Sequence, residues 1–470
     1  MNENIIYELD LDQIKIDFKF KEEPDIKEGS CNLTHSQCKE FKLLPYAANE
    51  KTLVSQFNGV IGAFSRFINN KELKNDFNAT EFIENVVDEI GEFEGNASKE
   101  SFRDIVKTMF IDKNNLVDFD IKTLNYISST SSEEKVAKFL YSIFFNKELK
   151  DFVKEHYERD VDNILYRLVL KALPELKEKE INSDEYKCYL PFVKELFIKD
   201  FKFLISNEEL YKNSIKRFLE YYYMFYISQL TMKLSSFEKA DLTKPEPLYY
   251  TLGWESISKN RTAYMYGWQK LSSYTESLFS HAITLEFLNH NNFDEKYGYT
   301  ELFELFKDND EEAIANQIEE LFNEYTNRVR DKDWNKFKEK NRASSGNKAF
   351  DKVYKLFDAL EYQFDKSSRS RANDAYKNWF KRFIFDNFSK RRGSLGYSLN
   401  LSEEDIIFLT KICININEKL KLGTLFEEFE KRGISFDRDS KAKIIQLYEK
   451  LNLLEKKSDS GDAQYVRSIL

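Results

Sequence analysis

Glycine and proline are scarce, at 14 and 6 in 470 residues, and the chain therefore has few of the residues that punctuate turns, bulges and strand ends. That scarcity argues against a many-stranded sandwich or barrel and favours long helices. Only four cysteines occur, Cys31, Cys38, Cys188 and Cys413, too few for a disulfide framework in so long a chain; a reducing compartment is the expectation. There is no apolar run of about 18 residues to span a bilayer, the most apolar stretch being Tyr221 to Leu230. The first twenty residues carry Glu3, Glu8, Asp10, Asp12, Lys15, Asp17 and Lys19, so no signal-peptide core is read there. A cytoplasmic protein with no membrane partner is expected.

Catalytic signatures are lacking too. No phosphate-cradling glycine loop, dinucleotide fingerprint or nucleophile elbow is present, and no cofactor is implied. Glu175 and Lys177 have the spacing of a nuclease motif, but they lie in a charge-rich surface segment where such spacing arises by chance. Cys31, His35 and Cys38 are close enough to suggest part of a zinc site, yet three ligands need a fourth and the paired Cys-x-x-Cys spacing is missing. His281 and His290 read as polar positions on a packed helix.

What the chain has in abundance is aromatic and charged residues. It contains 41 phenylalanines and 27 tyrosines, enough buriable area for a sizeable core, and its net charge of -10 argues against nonspecific coating of nucleic acid. The fold class expected is mainly α: a multi-helical body with a short N-terminal β-containing arm and a C-terminal winged-helix domain. In residues 1–45, Ile14, Ile16, Phe18 and Phe20 alternate with Lys15, Asp17 and Lys19, a period of two that predicts a strand, with Tyr7, Leu9 and Leu11 before it. Residues 46–240 form a helical domain of amphipathic helices, ending in an all-round apolar helix from about Asn213 to Leu234 whose rings are read as core rather than as a base-stacking platform. Residues 241–395 form a second helical domain, with Trp254 and Trp268 expected in the core.

That second domain ends in a basic tract, where Lys366, Arg369, Arg371, Lys377, Lys381, Arg382, Lys390, Arg391 and Arg392 face only Asp374 and Asp386. Gly393 to Gly396 is read as a flexible joint into residues 396–470. There Ser402 and Asp405 form a capping box, Gly433 stops a second helix, Asp437 caps a third, and two strand-like segments follow from Leu453 to Lys457 and Ala463 to Val466. Three helices and a hairpin describe a winged helix. Its third helix offers Arg438, Lys441 and Lys443, and its wing Lys456 and Lys457; with Lys381, Arg382, Lys390, Arg391 and Arg392 these are the candidate contacts to double-stranded DNA. Winged helices also dock proteins, and Asp437, Asp439, Glu449, Glu455, Asp459 and Asp462 dilute the charge.

Three segments carry a likeness to a known family: Pro247-Leu-Tyr-Tyr-Thr-Leu-Gly-Trp-Glu-Ser-Ile-Ser-Lys-Asn-Arg261 with Gly267-Trp-Gln-Lys270, then Lys390-Arg-Arg-Gly-Ser-Leu-Gly-Tyr-Ser-Leu399, then Lys456-Lys-Ser-Asp-Ser-Gly-Asp-Ala-Gln-Tyr-Val466. Together they resemble the DptG family of bacterial DNA phosphorothioation-dependent restriction systems, over most of residues 240–470. The resemblance implies a three-protein module with DptF-like and DptH-like subunits that attacks DNA lacking backbone sulfur. It implies no catalytic motif, and no residue inherits a chemical role from it.

Overall fold

In the computed structural model, residues 6–36, 38–94, 96–181, 185–456 and 464–469 are described, and among them nineteen α-helices accompany sheets of only two or three strands. Among the described residues no helix is long and apolar enough to cross a membrane. The chain divides into two compact units that are discontinuous in sequence, whereas the linear reading expects consecutive segments. One unit contains Met1–Leu53, Ile227–Glu246 and Trp268–Arg382; the other contains Val54–Tyr226, Pro247–Gly267 and Phe383–Leu470. Both divisions at Tyr226 and Arg382 fall inside helices, Glu208–Leu234 and Ser370–Asn387.

The first unit is built on the helix Leu278–Leu288, all of whose residues are buried. The N-terminal arm packs against it, and here the expected strand is corrected: Leu11–Asp17 is a helix, capped by the Asp10 side chain, which accepts from the Gln13 amide. Ile14 and Phe18 are fully buried while Ile16 is 66% exposed, so the buried face repeats every four residues rather than every two. The period of two holds only upstream, where Tyr7 and Leu9 are buried around an exposed Glu8 and Leu9 bridges Asn291. Phe18 stacks on Phe287 at 4.2 Å, and the Tyr7 hydroxyl donates to the Leu288 carbonyl at 2.8 Å. Further along, the helices Tyr299–Lys307, Glu311–Arg328 and Lys348–Phe364 complete the body.

The second unit is dominated by ring packing. Phe144 lies parallel to Phe197 at 4.3 Å, and Phe197 meets Phe218 and Tyr222 at 5.2 and 5.0 Å. Tyr221, Tyr222, Tyr223, Met224, Phe225 and Tyr226 are all buried, so this aromatic helix is core, as its all-round apolarity requires. Trp268, in the first unit, is also buried, but Trp254 is only half-buried.

At the C-terminus of the second unit the helices Glu403–Ile414, Leu422–Lys431 and Arg438–Lys450 accompany three short strands, Lys419–Lys421 after the first helix and Leu454–Lys456 and Gln464–Arg467 after the third. The last strand is central and antiparallel to both others, with Val466 opposite Leu420 and Leu454. The Ser402 capping box is formed through Asp405, and Asp437 caps the third helix by accepting from the Ser440 amide. The strand Lys419–Lys421 went unread in the sequence because three residues with a single apolar member carry no periodicity. Gly393–Gly396 is not a flexible joint: it closes a hairpin between Ser389–Arg391 and Tyr397–Leu401, with Gly393 and Gly396 at φ 57° and 79° and the Arg392 amide donating to the Gly396 carbonyl at 2.7 Å.

Candidate nucleic-acid interface

The third C-terminal helix is fixed at its first turn by charged residues from far upstream. Asp437 carries its cap, and the Arg261 guanidinium clasps both carboxylate oxygens, Nε donating to Oδ2 at 3.0 Å. The same guanidinium donates to Glu255 at 2.9 Å and to the Ser440 hydroxyl at 2.8 Å. Burial works against these charges; the hydrogen bonds Arg261 donates to the Asp437 and Glu255 carboxylates nevertheless hold it protonated, and the Arg261 fork with the Ser440 and Ala263 amides holds Asp437 below the usual carboxylate range.

Glu255 is the hub of this arrangement. Its carboxylate accepts from the Leu252 amide at 2.7 Å and from the Ser440 hydroxyl at 2.9 Å, and its backbone carbonyl accepts from Arg392 at 3.1 Å. Arg392 also donates to the Leu252 carbonyl at 2.7 Å and to Asn400 at 3.0 Å. The parallel pairing of Thr251–Leu252 with Asn400–Leu401 adds a backbone tie. Hairpin, upstream loop and third helix therefore share one hydrogen-bonded network, in which the segments Pro247–Arg261 and Lys390–Leu399 meet. Sequence reasoning missed Arg261 and Glu255; the available signal was two charges set among apolar and aromatic residues, where unpaired charges are costly.

The ten candidate DNA contacts fall into different settings. Arg438 is exposed on the first turn of the third helix and Arg391 is exposed on the hairpin, and neither side chain has an ion-pair partner among the described residues. Lys443 is exposed and donates to Gln446 at 3.1 Å. Lys441 pairs with Glu430 at 3.1 Å and lies over the Phe426 ring; Lys456 pairs with Glu449 at 2.7 Å. Half-exposed pairs of this kind are worth roughly 0–1 kcal/mol and break readily for a phosphate. Lys390 donates to the Gly253 carbonyl, and Arg382 is exposed. Lys381 shares Glu276 with Lys377, and Arg392 is occupied by the network, where burial lowers its pKa. Lys457 lies outside the described residues.

Much of the basic tract thus has its charge answered by distant acids that a local count does not see. Arg369 makes a two-pronged pair with Asp331 at 2.7 and 3.0 Å, adding to the Lys377 and Lys381 pairs. The zinc reading gains nothing: among the described residues no three His, Cys, Asp or Glu side chains gather in a metal-holding group. His35 instead hydrogen-bonds the Tyr325 hydroxyl at 2.7 Å, and the Cys38 amide donates to Glu286 at 3.0 Å. His281 and His290 are buried on the Leu278–Leu288 helix and just beyond it, hydrogen-bonded to Tyr299 and to the Glu286 carbonyl. Compared with known proteins, the chain matches no family model and no curated protein.

Proposed function

We propose that the chain is a non-catalytic, DNA-contacting accessory subunit of a bacterial phosphorothioation-dependent restriction complex, working in the cytoplasm beside DptF-like and DptH-like subunits. Its last segment then serves as a winged helix. The order helix, strand, helix, helix, strand, strand suits that module, and its third helix is the one that enters a DNA groove in such proteins. The observation that carries the reading is the anchoring of that helix: Arg261, Glu255 and Asp437 hold its first turn rigidly while Arg438 and Lys443 stay exposed. A recognition element needs such fixed backbone and free cations. Chemistry on the DNA belongs to the partners in this scheme.

The test is retention of a labelled duplex by purified protein at low salt. Wild type retains it, and Arg438→Glu with Lys443→Glu abolishes retention without lowering the melting temperature. Equal retention by both proteins overturns the reading. A protein-docking role for the same module is the second reading, favoured by the net charge of -10 and by the neutralised basic tract. It is adopted if the double variant keeps its DNA behaviour but no longer co-purifies with the restriction subunits.

A further inference from the structure

Far from the C-terminal helices in sequence, the second unit contains a cleft of about 570 Å³, within the size range of small-molecule sites. Its rim carries Lys71, Lys122, Lys150 and Lys154, drawn from three different elements, against Asp151, Glu158 and Glu178. Two of the lysines are neutralised, Lys71 by Glu178 and Lys154 by Glu158 at 3.5 Å. The other two are not. Lys122 donates to the Arg159 backbone carbonyl at 2.8 Å and Lys150 to the Asn70 amide oxygen at 2.9 Å, both neutral acceptors, and neither has an ion-pair partner among the described residues. Elsewhere in this acidic chain lysines commonly find carboxylates, as Lys377, Lys381 and Lys355 do. Two ammonium groups at one concavity with no carboxylate partner among the described residues, Lys150 also lying 6.0 Å from the centre of the Tyr141 ring, are suited to an incoming anion.

The cleft is not merely a charged hollow. Ile68, Leu173 and Leu176 give it an apolar lining, and the Asn69 and Asn125 amides line it beside them. Apolar surface with a few amides and adjacent cations suits a molecule that has a flat, weakly polar part and a phosphate part. We propose that this cleft binds a nucleotide, its base against the leucines and its phosphates on Lys122 and Lys150. Lysine recognises phosphate as a point charge, so no glycine loop is needed. The proposal goes beyond DNA contact and does not depend on it.

The experiment is binding of a fluorescent ATP derivative to the full chain at low salt, followed by competition with ATP and with sodium tripolyphosphate. Saturable binding is expected, displaced far better by ATP than by tripolyphosphate. Lys122→Gln with Lys150→Gln should weaken it by on the order of tenfold per lysine, whereas Lys122→Arg with Lys150→Arg should largely retain it. Arg391→Ala with Arg438→Ala should leave it unchanged, which separates this site from the proposed DNA contacts. Absence of binding, equal competition by tripolyphosphate, unchanged affinity in the Gln variant, or equal loss in the Gln and Arg variants each overturns the proposal.

Discussion

Asp200 and Arg432 are both fully excluded from solvent and face each other at 2.7 and 2.8 Å, with the Tyr222 hydroxyl donating to the same carboxylate and the Arg432 carbonyl accepting from Tyr221. Arg432 also reaches the Glu428 carboxylate at 2.7 Å, so removing Asp200 leaves the guanidinium one carboxylate, whereas removing Arg432 leaves Asp200 buried with no ion-pair partner among the described residues. Arg432→Met should therefore cost about 3–5 kcal/mol, read from denaturant midpoints, and a cost under about 1 kcal/mol would show that water reaches the pair. Buried histidines set a second residue-scale expectation. Burial, reinforced by Arg369, pushes His35 down to about 3, and burial with Arg342 and Lys340 does the same for His281. In the unfolded chain both titrate near 6.5, so protons bind the unfolded state first as pH falls. The stability they contribute is complete above about pH 6.5 and is lost progressively toward pH 3, by roughly 1.4 kcal/mol per pH unit for each. Urea midpoints at pH 7, 6 and 5 should fall accordingly, and His281→Phe should flatten the trend; midpoints independent of pH would contradict the burial argument.

At the scale of elements, close approach does what charge does for single residues. The helix Asn58–Ile68 lies so near the segment after Ile121–Tyr126 that a Cβ on Gly62 would run into the Ile127 carbonyl and side chain. Gly62→Ala should cost about 1–3 kcal/mol despite the better helix propensity of alanine, a sign reversal that thermal unfolding can check. A rise in melting temperature would mean the two segments can separate freely. The same scale shows what the sequence made legible. Ser402, Asp405 and Asp437 announced two helix starts because caps are local chemistry, and the aromatic helix announced its burial because rings on every side leave no solvent face. Ile14, Ile16, Phe18 and Phe20 misled because only the first two lie in the helix, where Ile16 faces water, while Phe18 caps its end and Phe20 follows it, so the alternation joins two different conformations. The Glu255 hub was out of reach, since Leu252, Arg261, Arg392 and Ser440 converge on it from three separate stretches.

For the whole molecule the question is how a chain of net charge -10 approaches a polyanion. Long-range attraction is absent, so any DNA affinity must come from a few cations in direct contact. Each phosphate contact releases condensed counterions, and the slope of log affinity against log salt steepens by about 0.9 per contact. Arg391 and Arg438 are exposed without ion-pair partners among the described residues, whereas Lys381 shares Glu276 with Lys377. Arg391→Ala with Arg438→Ala should therefore flatten the slope by about two and weaken binding to all duplexes about equally, because phosphate contacts position without reading bases. Lys381→Ala should leave the slope where it was, although local composition ranks that residue as highly as the others. Titration of a labelled duplex at four salt concentrations with the three proteins separates the cases. A slope unchanged in the double variant removes the phosphate contacts from the proposal, and a slope flattened by Lys381→Ala would mean that the pair with Glu276 opens in solution and the basic tract meets DNA after all.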